Sequence, residues 1–295
     1  MSSRAAAKTD SSLTMRVAKP EDASICGPIC YEAFHKINTE HGFPPDFPSP
    51  DVATGLLSRM FSNPNFYCVV AESDGQIVGS NCLDERSAIA GVGPITVRPT
   101  DQNRGAGRKL MEAVLERAQE RNFRGVRLLQ AAFHNRSLSL YTTLGFDARE
   151  PISVMQGPAV QKPIEGCTVR TAQMSDLEMC NRICNQVHGH DRSRQLKDAI
   201  AEGAALVVER HGRITGYSTG LAFFAHSVAE TNIDLQALIA AAEAFGGPGI
   251  LVPTRNANLF RWCLENGLRV VEPMTLMSLG LYNEPNGVYL PSILF

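Results

Sequence analysis

Apolar and polar positions alternate with two periods along this chain. Leu110, Met111, Val114, Leu115 and Ala118 recur at helical spacing and predict a helix over 105–121. Val69 and Val70, then Gly75 and Gly79, read as a strand, a glycine-containing hairpin turn and a second strand. Extended to residue 156, the pattern gives a strand (13–18), a helix (20–36), an irregular segment (37–50) and a helix (51–62). A hairpin (66–83), a strand (88–98), the helix at 105–121, a strand (125–132), a helix (135–143) and a strand (146–156) follow. Strands and helices interspersed in this way predict an α/β (α+β) fold, a mixed central sheet flanked by helices.

The pattern then repeats. Arg16, Ala18, Asp22, Cys26 and Cys30 align with Arg170, Ala172, Asp176, Cys180 and Cys184 at a constant offset of 154. The hairpin glycines Gly75 and Gly79 match Gly212 and Gly216 at an offset of 137, and Tyr141, Gly145 and Phe146 match Cys263, Gly267 and Leu268 at 122. A shrinking offset means two copies of one architecture, the second shortened in two places. Pro158, Pro163, Gly157 and Gly166 punctuate the join, so the expected organisation is a disordered segment at 1–12, one domain at 13–158 and a second at 159–295.

Composition narrows the function classes. Lys and Arg number 28 against 30 Asp and Glu, a formal charge of -2, which lacks the overall basic footprint of a nucleic-acid binder. No apolar run approaches membrane-span length and the N-terminus has no signal-peptide core, so no membrane partner and a cytoplasmic location are expected. Eight cysteines without scaffold spacing read as buried reduced thiols, and His188, His190, Asp191 and His226 supply no complete metal-ligand set.

The local signal that bears chemistry lies between the strand ending near Arg98 and the helix at 105. Gly105 and Gly107 permit positive φ and close approach, and the helix start aims unpaired N–H groups at whatever sits there. Arg104, Arg108 and Lys109 add positive charge, so a phosphate or pyrophosphate is the natural occupant, although a tight strand-to-helix turn also uses glycines. The spacing fits neither a P-loop nor a three-glycine dinucleotide loop.

Gln102, Gly105 and Gly107 after a strand carrying Val97 and Pro99, followed later by Ser137, Tyr141, Gly145 and Phe146, resemble the Gcn5-related N-acetyltransferase (GNAT) superfamily, here as a tandem protein with a degenerate second copy. The resemblance implies acetyl-CoA as acyl donor, its pantetheine on the backbone of Ile95, Thr96 and Val97 between two splayed strands. Its pyrophosphate would lie on the loop Gln102, Asn103, Arg104, Gly105, Ala106, Gly107 and Arg108. Gly91, Gly93 and Pro94 suit a strand forced to splay. Tyr141 takes the family's general-acid position, and a phenol with a pKa of about 10 is protonated at neutral pH. His134 or Asn135 stands where the family often bonds the cofactor, and Asn135 also reads as a helix cap.

The chain departs from the family in having no acidic side chain over 88–98, where a base is often found. Asp84 and Glu85 are the nearest candidates for the base and are equally readable as solvated turn carboxylates. The irregular segment from His41 to Pro48 falls where the family builds its acceptor pocket, and an amine could sit beside Asp46, although the segment reads equally well as a proline-rich connector. In the second copy, residues 225–235 contain no glycine and place Glu230 and Asp234 where a pyrophosphate would bind, and Cys263 replaces Tyr141. The expected function is N-acetyl transfer to a primary amine of a small molecule by direct attack in a ternary complex. The alternative is an acyl-CoA-responsive binding protein without turnover. The apolar tail at 288–295 is expected to pack on a domain or a partner, with a homodimer left open.

Overall fold

The computed structural model describes residues 13–295, so the segment 1–12, expected to be disordered, lies outside the described residues. The first repeat runs β1 (Leu13–Val17), α1 (Ala23–Glu40), α2 (Pro50–Ser62), β2 (Phe66–Ser73), β3 (Gln76–Asp84), β4 (Ile89–Val92), β5 (Thr96–Val97), α3 (Ala106–Glu120), β6 (Gly125–Ala131), α4 (Asn135–Thr143) and β7 (Asp147–Gln156). The second runs β8 (Cys167–Thr171), α5 (Leu177–His188), α6 (Ser193–Ala201), β9 (Leu206–Arg210), β10 (Arg213–Ser218), β11 (Ser227–Ala229), α7 (Asn232–Ala240), β12 (Ile250–Pro253), α8 (Ala257–Glu265), β13 (Arg269–Gly280) and β14 (Val288–Leu290). No helix among the described residues is long and apolar enough to cross a membrane.

The repeated residues make the same device twice. Arg16 holds Asp22 at 2.6 Å and Glu72 at 2.8 Å; Arg170 holds Asp176 and Glu209, each at 2.7 Å. In both copies the aspartate also accepts a backbone N–H three residues earlier, from Lys19 or Gln173, at 2.8 Å, fixing the turn that leads into α1 or α5. Cys26 and Cys30, like Cys180 and Cys184, lie one turn apart on the buried faces of those helices as free thiols. Burial pushes the Cys26 thiol up to about 12.

Two departures from the sequence pattern shape the site. The expected strand at 88–98 divides at Gly93 and Pro94 into β4 and β5, both of which pair with β3: Leu83 opposite Val92 and Asp84 opposite Gly91, then Gly79 opposite Val97 and Ser80 opposite Thr96. The repeats also do not close separate sheets. One nine-stranded sheet runs β1-β2-β3-β4-β6-β13-β7-β12, with β5 attached to β3. Strand β13 of the second repeat therefore lies antiparallel between β6 and β7 of the first, and β7 lies antiparallel between β13 and β12 of the second. Each repeat supplies the strand that completes the other's sheet.

The second sheet, β14-β11-β10-β9-β8, ends at β14, which pairs antiparallel with β11 (Ser227 with Leu290, Val228 with Tyr289, Ala229 with Val288). It packs against β12 without joining it to β11, as the buried cluster shared by Leu290, Ala229, Ile250 and Val252 shows.

Because β6 or β12 would be left with an unpaired edge if either repeat stood alone, the two repeats should unfold as one unit. Calorimetry on the full chain is expected to give a single transition, and residues 13–158 alone should show no cooperative melt; two resolved transitions would contradict the exchange.

Candidate active site

Strands β4 and β6 are parallel neighbours over only three pairs, Ile89 with Gly125, Ala90 with Val126 and Gly91 with Arg127. Beyond Gly91 they part, because β5 turns back onto β3 and β6 continues against β13. Residues 293–295 cross the base of this fork. A Cβ on Gly91 would stand 2.0 Å from the Leu294 carbonyl oxygen, so only glycine lets the tail lie there. Arg192 donates to the Phe295 carbonyl, and the Arg127 guanidinium lies 3.8 Å from the Phe295 ring centroid.

The fork opens into a cavity of about 390 Å³. Along one wall, Ile95, Thr96 and Val97 lead to the glycine loop. Ile95 makes no backbone hydrogen bond among the described residues, leaving its N–H and C=O for a ligand. Asn103 and Gly105 have φ of 64° and 88°, which turns successive amides to one side ahead of α3. The first intrahelical bond, Lys109 to Gly105 at 3.1 Å, leaves the amides of Ala106, Gly107 and Arg108 unpaired. A Cβ on Gly107 would meet nothing nearer than Leu140 at 3.8 Å, so the protein itself has room there and the open surface suits close approach by a phosphate.

The loop is held from within. Gln102 donates to the Val97 carbonyl at 3.1 Å, and Arg136 donates to Gln102 at 2.8 Å and to Asn103 at 3.3 Å. Arg104 is exposed beside Asp101, and Arg108 donates to Thr143 at 2.9 Å. Lys109 turns instead to the Leu13 carbonyl. Arg136, not anticipated from the sequence, thus adds a cation at the loop; its position at the start of α4, opposite the glycine turn, was the available signal.

Tyr141, on α4, is 7% exposed and faces the cavity, and its hydroxyl has no partner among the described residues. Burial pushes its pKa well above the ordinary value, so it stays protonated. His134 lines the cavity with Nε2 unbonded; burial, with Arg136 nearby, lowers its pKa to about 4, leaving a neutral ring at neutral pH. Asn135 is the exposed first residue of α4 and makes no side-chain cap.

The structure does not bring Asp84 and Glu85 to the cavity. Asp84 is buried under Arg86, which grips both its oxygens at 2.9 and 2.7 Å, and Glu85 pairs with Arg117 at 2.8 Å. Both are spoken for by a guanidinium, and Arg86, reaching Asp198 on α6 at 3.2 Å, ties the repeats together. Asp46 does reach the cavity, fixed by Asn38 at 3.2 Å, and there it meets Glu272 of β13, which the sequence did not single out. A lone acid in the apolar run of β13 was its only mark. Burial pushes Asp46 up to about 6 against hydrogen bonds from Asn38 and Glu272 that favour its charged form, while burial and the neighbouring Asp46 carboxyl push Glu272 up to about 8.

The corresponding cleft of the second repeat is filled by the chain itself. Strand β14 bonds to β11 on the side that faces β12. At the start of α7, Thr231 accepts from the Asp234 amide, while Asp234 accepts from the Thr231 amide at 3.0 Å and from Arg210 at 2.7 Å. That helix end is closed by its own carboxylate, and Cys263 is fully buried in the core.

Residues 31–146 match the model of the acetyltransferase (GNAT) family. No protein of curated function matches the chain in sequence. Among solved structures, a candidate acetyltransferase from Pyrococcus horikoshii is 19% identical over 94% of each chain, with a TM-score of 0.74. A GCN5-related N-acetyltransferase from Sphaerobacter thermophilus is 18% identical over 92% of this chain and 96% of that one, TM-score 0.62. A tandem GNAT protein from the clavulanic acid biosynthesis pathway is 12% identical over 91% of this chain and 98% of that one, TM-score 0.54. At such identities these likenesses show the fold.

The Asp46 and Glu272 pair sets a pH test. Unfolded carboxyls titrate near about 4, so the folded chain binds more protons between there and about 8, and its stability falls as pH rises through that window. Glu272→Gln removes the repulsion, and its Tm is expected to exceed that of the parent chain by a few degrees at pH 8.5 and to converge with it near pH 5. The fork and the glycine loop lie within the residues that match the acetyltransferase (GNAT) family model, and the whole chain shares the fold of a tandem GNAT protein.

Proposed function

We propose that this protein is an N-acetyltransferase that moves the acetyl group of acetyl-CoA to a primary amine of a small molecule, by direct attack, at a single site in the first repeat. The observation that carries this reading is the convergence, in one cavity, of the unpaired amides at Ala106 to Arg108, the free backbone of Ile95 and the protonated Tyr141. The loop amides and Arg104, Arg108 and Arg136 suit the diphosphate; Ile95 and Val97 suit the pantetheine amides. The amine nitrogen attacks the thioester carbon, and the carbon–sulfur bond breaks as the tetrahedral intermediate collapses. Tyr141 donates its phenolic proton to the departing thiolate sulfur and recovers one from the newly bonded nitrogen.

Single-site binding is supported by the second repeat, where β14 lies in the cleft and Asp234 caps the helix end that a diphosphate would need. Titration calorimetry is expected to give one acetyl-CoA per chain; two would refute the single site. Tyr141→Phe should lower turnover by about 10²–10⁴ with acetyl-CoA affinity within about twofold, read from CoA-thiol release and calorimetry. Unchanged turnover would remove Tyr141 from the mechanism, and no thiol release from the parent chain with any amine would favour a binding protein.

A further inference from the structure

Glu272 is 2% exposed, lines the cavity and receives no hydrogen bond from any donor among the described residues; its neighbour is another carboxyl, Asp46. A buried carboxylate without a donor is costly, and two of them in contact are costlier still, so this end of the cavity lacks a cation. Asp46 comes from the segment between α1 and α2 and is held in place by the buried Asn38, whose amide also bonds the Pro44 carbonyl at 2.8 Å. Glu272 comes from the other repeat and reaches the cavity only because β13 lies between β6 and β7. Lys36 and Glu40 on α1, which pair with each other at 3.7 Å, also line the cavity, at the side they share with Gln102, Asn103 and His134. Arg108, His134 and Arg136 belong to the wall that carries the glycine loop.

The walls beside the two acids are apolar: Phe34, Phe47, Phe223, Phe224, Met274 and Ile293. No unpaired cation stands among them to meet a carboxylate or phosphate on an acceptor. A substrate with a second charge would have to leave that charge against aromatic rings.

We propose that Asp46 and Glu272, one from each repeat, form the ammonium-binding and proton-accepting subsite of the acceptor pocket, and that the acceptor is a primary amine on an uncharged apolar body of ring size. This rests on the acetyl-transfer reading above. The amine arrives as its ammonium ion, displaces the proton shared by the two carboxyls and lies between them. Glu272 then takes one N–H proton, giving a neutral amine and a carboxylic acid. The amine attacks the thioester, Tyr141 exchanges protons with sulfur and nitrogen as described, and the proton now on Glu272 stays as the one the two carboxyls share, replacing the one lost to solvent when the ammonium ion bound. The net products are amide, CoA thiol and one proton.

The test measures CoA-thiol release from acetyl-CoA with 2-phenylethylamine, lysine and spermidine as probes, for the full-length parent chain and for Glu272→Gln and Asp46→Asn. Turnover with 2-phenylethylamine is expected to exceed that with lysine or spermidine by at least about tenfold in kcat/KM. Glu272→Gln is expected to lower kcat/KM by about 10²–10⁴, as loss of a proton acceptor does, to flatten the alkaline-going limb of the pH profile, and to leave acetyl-CoA affinity within about twofold. Asp46→Asn should raise KM more than it lowers kcat. If the parent chain transfers acetyl to 2-phenylethylamine and Glu272→Gln does so with the same kcat/KM and pH profile, the subsite is overturned while acetyl transfer stands. A preference for lysine or spermidine overturns the acceptor class. No thiol release with any probe, together with intact acetyl-CoA binding, overturns the transfer reading itself.

Discussion

The exchange of β7 and β13 is the constraint from which the rest of the molecule follows. Hydrogen bonds run unbroken from β4 through β6, β13 and β7 to β12, so neither repeat owns a complete sheet. In an exchanged pair the inner strands are held on both edges, and the cost of leaving an edge open falls on both repeats at once. The position of β13 also supports β6 while β5 folds back on β3, and the fork between β4 and β6 depends on both. The cavity is therefore a property of the tandem chain, even though the glycine loop and Tyr141 come from one half.

The two repeats have used the same fork differently. In the first it stays open above the tail, with Gly91 clearing the Leu294 carbonyl. In the second, β14 supplies the backbone partner that β11 would otherwise lack, and Asp234 supplies the anion that the N-terminus of α7 favours. A cleft that can accept an extended, amide-bearing ligand ending in negative charge can also accept a piece of its own chain and its own carboxylate, since the hydrogen-bonding requirements are the same.

Sequence reading succeeded where the determinant was local. Gly105 marks a left-handed backbone conformation that few other residues adopt, and Tyr141 sits on a helix whose period and C-terminal Gly145 are plain. The matched arginine, aspartate and cysteine pairs marked the repeat because each does the same work in both copies. Reading failed where spatial neighbours are far apart in the chain. Asp84 and Glu85 are close to β4 in sequence, but Arg86 and Arg117 turn them to ion pairs. Glu272 is 226 positions from Asp46, and no periodicity in either segment encodes their meeting, which the strand exchange alone brings about. The short run at 288–290 gave no sign that it would become a strand, because its partner, β11, is equally short.

The tail beneath the fork has a consequence for the order in which the molecule is made. The glycine loop and Tyr141 are synthesised before Phe223, Glu272 and Ile293, which line the same cavity and come from the second repeat. A chain synthesised only through the first repeat thus carries the glycine loop and Tyr141 but not the cavity wall that the second repeat supplies. The direction of translation alone therefore sets the order in which the cavity is completed.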